Sequence, residues 1–387
     1  MATAALLLVV GAGSLPAQTA HQLTEPEASL PDDFGTIQTV RELPDGRVLV
    51  ADALGGALYA VDLDADRRTV VGREGQGPDE YRQPDAVWPL PGDSTLLVDL
   101  GNGRLTILGP ELGFHRTLPL AQGDFQPGSG QMPTIAIPQA VDRDGRIYIR
   151  SMPPLGAGDG PVRGDILRLP LGGEPEAVTS FRLSDRRVNR SGSAGNENVS
   201  VEPVPLSPED AWGVAPDGSV VVVDAATYRA TWTAPDGGTV QGPALSWEPV
   251  GIGTAEKEEW VAENGRSGGG LAVTVTVDGG RPQMGFQRGG AGGGTREIDA
   301  YTWPDTKPAV YGGSAPVDRQ GRAWVRRHRN AGAPSTWDVL DRRGQRVGTV
   351  ELAPGSRVVG FGEGAVYVAS FDDFDLAYLE RYALPDF

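Results

Sequence analysis

The 387-residue chain contains no cysteine. Disulfides, thiolate metal ligands, a cysteine nucleophile and the lipid-bearing cysteine of a bacterial lipoprotein are all excluded, so stability outside the cytoplasm must come from packing. Lysine is nearly absent: Lys257 and Lys307 are the two present, and the remaining positive charge is arginine. A GC-rich genome explains that bias without appeal to function. Positive charge is scarce overall, with 34 basic against 51 acidic residues, a net charge of -17 and a pI near 4.6. Such a chain repels phosphate backbones and anionic lipid surfaces, so nucleic acid is not an expected partner. No Gly-Lys-Ser/Thr run exists, and GREGQG is therefore not a phosphate loop.

What the chain does have is enough apolar residue, 39%, to bury a core in one large all-β domain or two ordinary ones. Its first residues, MATAALLLVVGAGSLPAQTA, hold an apolar stretch of about ten residues followed by small residues and Ala17. That suits a secretory signal over residues 1–17 and is too short to span a bilayer. No Lys or Arg precedes Ala4, so the basic start of such signals is missing. The expected mature chain begins near Gln18, with a secreted or periplasmic address and no membrane span.

One unit recurs six times: a short apolar strand, a tight Gly turn, a strong second strand, then one or two more. The turns with their second strands are PDGRVLVAD, PGDSTLLVD, RDGRIYIR, PDGSVVVVD, RQGRAWVRR and GEGAVYVAS. Asp-Gly and Gln-Gly between β-rich runs signal hairpins, because the turn needs backbone angles that Gly reaches without strain. The turn glycines Gly46, Gly92, Gly145, Gly218, Gly321 and Gly364 are 46, 53, 73, 103 and 43 residues apart. Third strands such as ALYAVDL and LAYLERYAL follow in every unit, and fourth strands such as RTVVG and RVGTVEL in the first five. Four antiparallel strands repeated radially make a propeller blade, so the expected fold is an all-β, six-bladed β-propeller over residues 18–387. The sixth unit lacks a fourth strand, and QLTEPEASL near the N-terminus is placed to supply it and close the ring.

The stretch GREGQGPDEYRQP, followed by a strand ending VD, resembles the linker between repeats of the NHL-type six-bladed propeller family. YTWPDTKPAVYGGSAPVDRQGRAWVRR resembles the approach to the fifth blade in secreted bacterial six-bladed propellers. Units three and four depart from the linker signature. On physical grounds Gly72 ends a strand, Gly75 and Gly77 turn, Pro78 fixes the exit and Tyr81 packs between neighbouring blades. Asp52, Asp99 and Asp224, each ending a second strand, are expected to accept backbone N–H bonds from nearby loops.

In a propeller blade, the loops joining strands one to two and three to four share one face; the others share the opposite face. The first class here is uniformly short. The second carries nearly every insertion, including SMPPLGAGDGPVRG, RHRNAGAP, SFDDFD, GDFQPGSGQMPT, DRRVNRSGSAGNENVSVEP and the region from about Trp247 to Val310. Long loops on a rigid scaffold are where binding tends to reside, though drift in a solvated region also lengthens loops. The largest insertion, about 247–310 between blades four and five, reads as a short helix (GTAEKEEWVAENGR, Thr254 as N-cap, Trp260 on its buried side) and a hairpin (LAVTVTVDGGRPQMGFQ). The pair would form either a lid over the channel mouth or a patch on a blade edge.

GRSGG matches G-x-S-x-G, but that elbow requires a strand before Ser267 and a helix after it, the reverse of the order here. Of His21, His115 and His328, only His328 falls on the long-loop face. The histidine-bound zinc site of amidating-lyase propellers therefore does not fit. Calcium-dependent lactonase propellers imply Glu, Asn and Asp ligands around the axis, but all six asparagines, Asn102, Asn189, Asn196, Asn198, Asn264 and Asn330, read as loop or turn residues. No metal site is assigned and no cofactor is expected, calcium being the one ion left open. Candidate binding residues on the long-loop face are Glu80, Tyr81, Arg82, Arg150, Trp303, Lys307, Arg326, Arg327, His328, Asp372 and Asp373. Arginine forks beside aromatic rings suit carboxylates, sugars or peptide termini; solvated salt bridges around the rim are the plain alternative. Recognition of a peptide, glycan or small organic ligand by a monomer is the expected role. Metal-assisted hydrolysis or lactonase chemistry at the channel, and a structural part in an envelope complex, are the alternatives.

Overall fold

A computed structural model of the chain describes residues 19–122, 134–151, 160–193, 196–266, 271–278, 281–289 and 297–387. It is a six-bladed β-propeller of mostly four-stranded antiparallel sheets with one α-helix. Blade one consists of Val40–Glu42, Val48–Asp52, Ala57–Asp62 and Arg67–Val70, and blade two of Pro84–Pro89, Thr95–Asp99, Arg104–Leu108 and Phe114–Pro119. The second strands of these blades are buried throughout, as expected of strands covered on both faces. All six turn glycines take φ between 67° and 85°, the left-handed region in which a Cβ would be strained.

The carboxylates that end second strands bind linkers or their own following turns. Asp52 accepts the N–H groups of Gly35, Thr36 and Gly55 at 2.9–3.0 Å. Asp99 accepts those of Arg82 and Gln83 together with Asn102 Nδ2, and Asp224 those of Ala226 and Thr227. A second device recurs at the hairpins DRDGRIY and DRQGRAW. Asp142 Oδ1 accepts the N–H of Asp144 and Arg146 while Oδ2 takes Arg146 Nε and Tyr148 Oη. Asp318 does the same with Gln320, Arg322 and Trp324 Nε1. Each turn is thereby fixed by a fully satisfied buried carboxylate.

The N-terminal segment closes the ring: Ala28 and Ser29 pair antiparallel with Arg381 and Glu380 on the third strand of blade six and so form its outer strand. Leu30, Phe34 and Ile37 then pack into a cluster shared with Val48, Val359, Tyr367 and Leu379. An earlier stretch, Thr19–Gln22, adds a parallel strand to the outer edge of blade five, paired with Gly348–Glu351. The repeat did not announce this strand.

Three expectations are corrected. DRRVNRSGSAGNENVSVEP is not a loop: Glu176–Ser193 continues past the blade and Asn196–Pro203 folds back along it, with Val188 opposite Val201 and Arg190 opposite Val199. The period-two valines are a strand signal obscured by the surrounding Ser, Gly and Asn. Accordingly Asn189, Asn196 and Asn198 lie in strands and Asn264 in the helix; only Asn102 and Asn330 occupy turns or bends. Blade five also lacks a continuous inner strand. Gly313–Ser314 joins blade four in parallel, beside Ala211–Trp212, and only single bridges, Val310 to Arg327 and Val317 to Ala323, tie this segment to blade five.

The insertion forms the helix Thr254–Arg266 and the hairpin Leu271–Asp278/Arg281–Arg288. It reaches across the ring. Glu256 accepts Ala331 N–H, Glu259 accepts Gly332 N–H and lies 3.4 Å from Arg329, and Glu263 meets Arg326 at 2.6 Å, all on blade five. At the other end, Arg288 holds Asp85 in a bidentate pair, Gln83 bonds both backbone groups of Arg288, and Phe286 enters the core between blades two and three. The insertion therefore spans opposite blades rather than patching one edge.

A Cβ on Gly213 would collide with the carbonyl oxygen of Ala315, the backbone that the parallel pairing draws in. Gly213→Ala is expected to destabilise the protein by about 1–3 kcal/mol, read as a lowered urea midpoint at unchanged slope.

Candidate functional site

A cavity of about 710 Å³ opens on the long-loop face, between the helix of the insertion and the upper ends of blades three to six. The inner strands end here and the longer connections begin, so side chains from several blades converge without a strand edge to occupy them. Trp260, Glu263 and Asn264 of the helix form one wall, and Arg150 of blade three with Glu209 before blade four another; Tyr311, Arg326, His328, Arg357 and Phe371 belong to blades five and six.

Three rings and three guanidinium groups organise the space. Tyr311 stacks on His328 with centroids 3.8 Å apart and planes 25° from parallel, and the Arg326 guanidinium lies 4.0 Å from the Tyr311 centroid. Arg326 also pairs with Glu263 at 2.6 Å. Arg357 donates to the carbonyl of Ile37 at 2.8 Å and sits 5.4 Å from the Phe371 ring, yet its Nε is buried with no partner, and it makes no ion pair among the described residues. Burial and the neighbouring Arg288 and Arg326 lower its pKa to about 10. Arg150, half exposed, stands 3.8 Å from Glu209, whose carboxyl is raised above the usual carboxylate range by burial. Burial raises Tyr311 to about 12. His328 is held well below 6.5 by burial and by Lys307, Arg326 and Arg329, and its Nδ1 has no partner. The cavity thus offers a neutral imidazole and unmet donor capacity at the buried Nε atoms of two half-buried arginines.

Of the sequence candidates, Arg150, Arg326 and His328 line this cavity. The others are elsewhere. Tyr81 is 1% exposed in the core between blades one and two, accepting Leu58 N–H on its hydroxyl. Glu80 closes the linker turn by accepting Gly77 N–H and pairing with Arg73. Arg82 is exposed with its backbone bound to Asp99. Lys307 is buried beneath the helix, donating to the Arg329 carbonyl at 2.9 Å and lying 3.5 Å from Glu259. Trp303 packs edge-on against Trp260 and Tyr301. Arg327 turns toward Asp338 at 3.8 Å. Asp372 caps its own turn through Phe374 and Leu376 N–H, and Asp373 is exposed beside it.

Glu209, Tyr311, Arg357 and Phe371 were missed. Tyr311 lies within a quoted motif without a local signal of its role, and Arg357 opens an ordinary strand; only the ring brings them together. Ser267 lies outside the described residues. Among the described residues no group of three or more His, Asp or Glu is placed to hold a metal, and no helix is long and apolar enough to cross a membrane.

No family model matches the sequence, nor does any curated protein. Solved structures similar in outline include regucalcin, a calcium-binding protein of Agrobacterium tumefaciens (13% identity, 94% of this chain and 95% of that one, TM-score 0.35). They also include virginiamycin B lyase of Staphylococcus aureus (9%, 93% and 99%, 0.40) and the PQQ-bound aldose sugar dehydrogenase of Streptomyces coelicolor (12%, 92% and 97%, 0.40). Likeness at this level bears on no functional question, and the fold stands on its strand pairing.

Because His328 is kept neutral in the folded chain and titrates near 6.5 when unfolded, the unfolded state binds the extra proton as pH falls. Stability is therefore undiminished by this group above pH ~6.5 and declines below it, by up to about 1.4 kcal/mol per pH unit. Urea unfolding at pH 7.5, 6.0 and 5.0 is expected to show a shallower decline for His328→Leu than for the parent.

Proposed function

We propose that this propeller is a recognition protein that binds a small organic ligand bearing a carboxylate through the cavity on its long-loop face. The observation that carries the reading is Arg357. Among the described residues its guanidinium makes no ion pair; it stands next to Arg326 and an aromatic wall, with only the field of Glu263 in its favour. A buried cation is costly unless paired, and a ligand carboxylate would pair it. The Tyr311–His328 stack and Phe371 suit a flat, ring-bearing body attached to that carboxylate. The volume falls in the range of small-molecule sites. In this proposal the chain is exported, on the strength of residues 1–17, acts as a monomer and is related to NHL-type propellers through its first linker.

A thermal-shift screen of aromatic acids, sugar acids, and peptides with free or amidated C-termini tests this, with calcium as a separate arm. The expected result is a raised melting temperature with carboxylates, lost in their amides. Arg357→Met is expected to weaken binding about 10- to 100-fold, the value of a charge-assisted bond. Shifts that survive in Arg357→Met, or none with any carboxylate, would overturn the reading. A shift with calcium alone would favour metal-assisted hydrolysis instead.

A further inference from the structure

The opposite mouth of the central channel, on the short-loop side, holds a second enclosed space. It measures about 550 Å³, and all six blades line it with their innermost segments. Trp88, Leu90, Val214, Val317, Val358 and Phe361 make much of that wall apolar. One charged wall residue differs from the rest. Arg41 is only 6% exposed; its Nη1 donates to Thr95 Oγ1, its Nε is buried with no partner, and among the described residues it makes no ion pair.

The carboxylates around this mouth do not neutralise it. Glu42 is committed to the Tyr367 hydroxyl at 2.6 Å, the Glu363 N–H and Arg319. Asp142 is committed to Arg146, Tyr148 and its own turn. Asp93, exposed on its turn, exerts a favourable field on Arg41 without touching it. Burial consequently pulls the Arg41 pKa down. A guanidinium with unmet donor capacity in the wall of an apolar cavity is what an anionic head on an apolar chain would satisfy.

We infer that the short-loop mouth is a binding site for an amphiphilic carboxylate, with the head group on Arg41 and the apolar chain along the valine-rich wall. It shares no lining residue with the long-loop cavity and does not depend on that cavity's function.

Titration calorimetry of the full chain with decanoate, and with decan-1-ol as the neutral counterpart, tests it. Decanoate should bind the parent and Arg357→Met alike, and Arg41→Met at least about tenfold more weakly. Decan-1-ol should bind parent and Arg41→Met equally, and more weakly than decanoate binds the parent. Removing an unpaired buried charge should leave the unliganded Arg41→Met melting at or above the parent, which separates lost binding from unfolding. Should that variant not fold, Val214→Phe keeps Arg41 and fills the path of the chain, and the same loss is expected. No binding of decanoate to the parent, equal affinity in Arg41→Met, equal affinity for the alcohol, or loss in Arg357→Met instead would each overturn the site.

Discussion

The pairing of Ala28–Ser29 with the last blade governs much else in the molecule. Each blade has two apolar faces and is stable only with a neighbour against each, so a row of six leaves two faces exposed until its ends meet. The N-terminal strand makes the last blade complete by means of residues that precede the first. It leads directly into Leu30, Phe34 and Ile37, which fill the gap between blades six and one. Glu42 reinforces the same boundary by holding the Tyr367 hydroxyl and the Glu363 N–H.

Even a closed ring of identical modules presents different loops on its two rims, and unequal loop lengths widen that difference. On one rim the hairpin turns are short and fastened by their own carboxylates, as at Asp142 and Asp318. On the other, the linkers into blades one and two are held by Asp52 and Asp99 at the ends of second strands. Among the described residues, both ends of the axis nevertheless contain an arginine with a buried Nε and no ionic partner, Arg357 near one and Arg41 near the other. In an acidic protein, cations are easily neutralised where they are exposed. Their isolation at these two points follows from enclosure by strands whose own carboxylates already have partners.

Architecture was legible because it is written in local chemistry repeated six times: Gly at a positive-φ turn, a β-rich run, an Asp at its end. The helix and hairpin of the insertion were legible for the same reason. Blade five's inner edge was not, since the choice of Gly313–Ser314 to pair with blade four depends on Gly213 leaving room for a neighbouring backbone. The hairpin through Asn189 and Asn198 was hidden because polar residues in its strands read as loop. For the cavity, Arg150, Arg326 and His328 were found from their position at strand ends on one face, whereas Glu80, Tyr81 and Lys307 are similarly placed in sequence yet serve linker, core and helix. Tyr311 and Arg357, 46 residues apart, become neighbours of one space only through ring geometry.

The insertion's attachment to blades five and two has a mechanical consequence. A ring sealed by edge pairing alone would part at its seam, the blades peeling away one after another. Here Arg288 grips Asp85 across 203 positions of sequence while Glu263 grips Arg326 on the far side. The insertion is a strut along the diameter, so loosening at the seam is resisted by the modules on either side of the seam blades, and the two halves of the disc are constrained to breathe together.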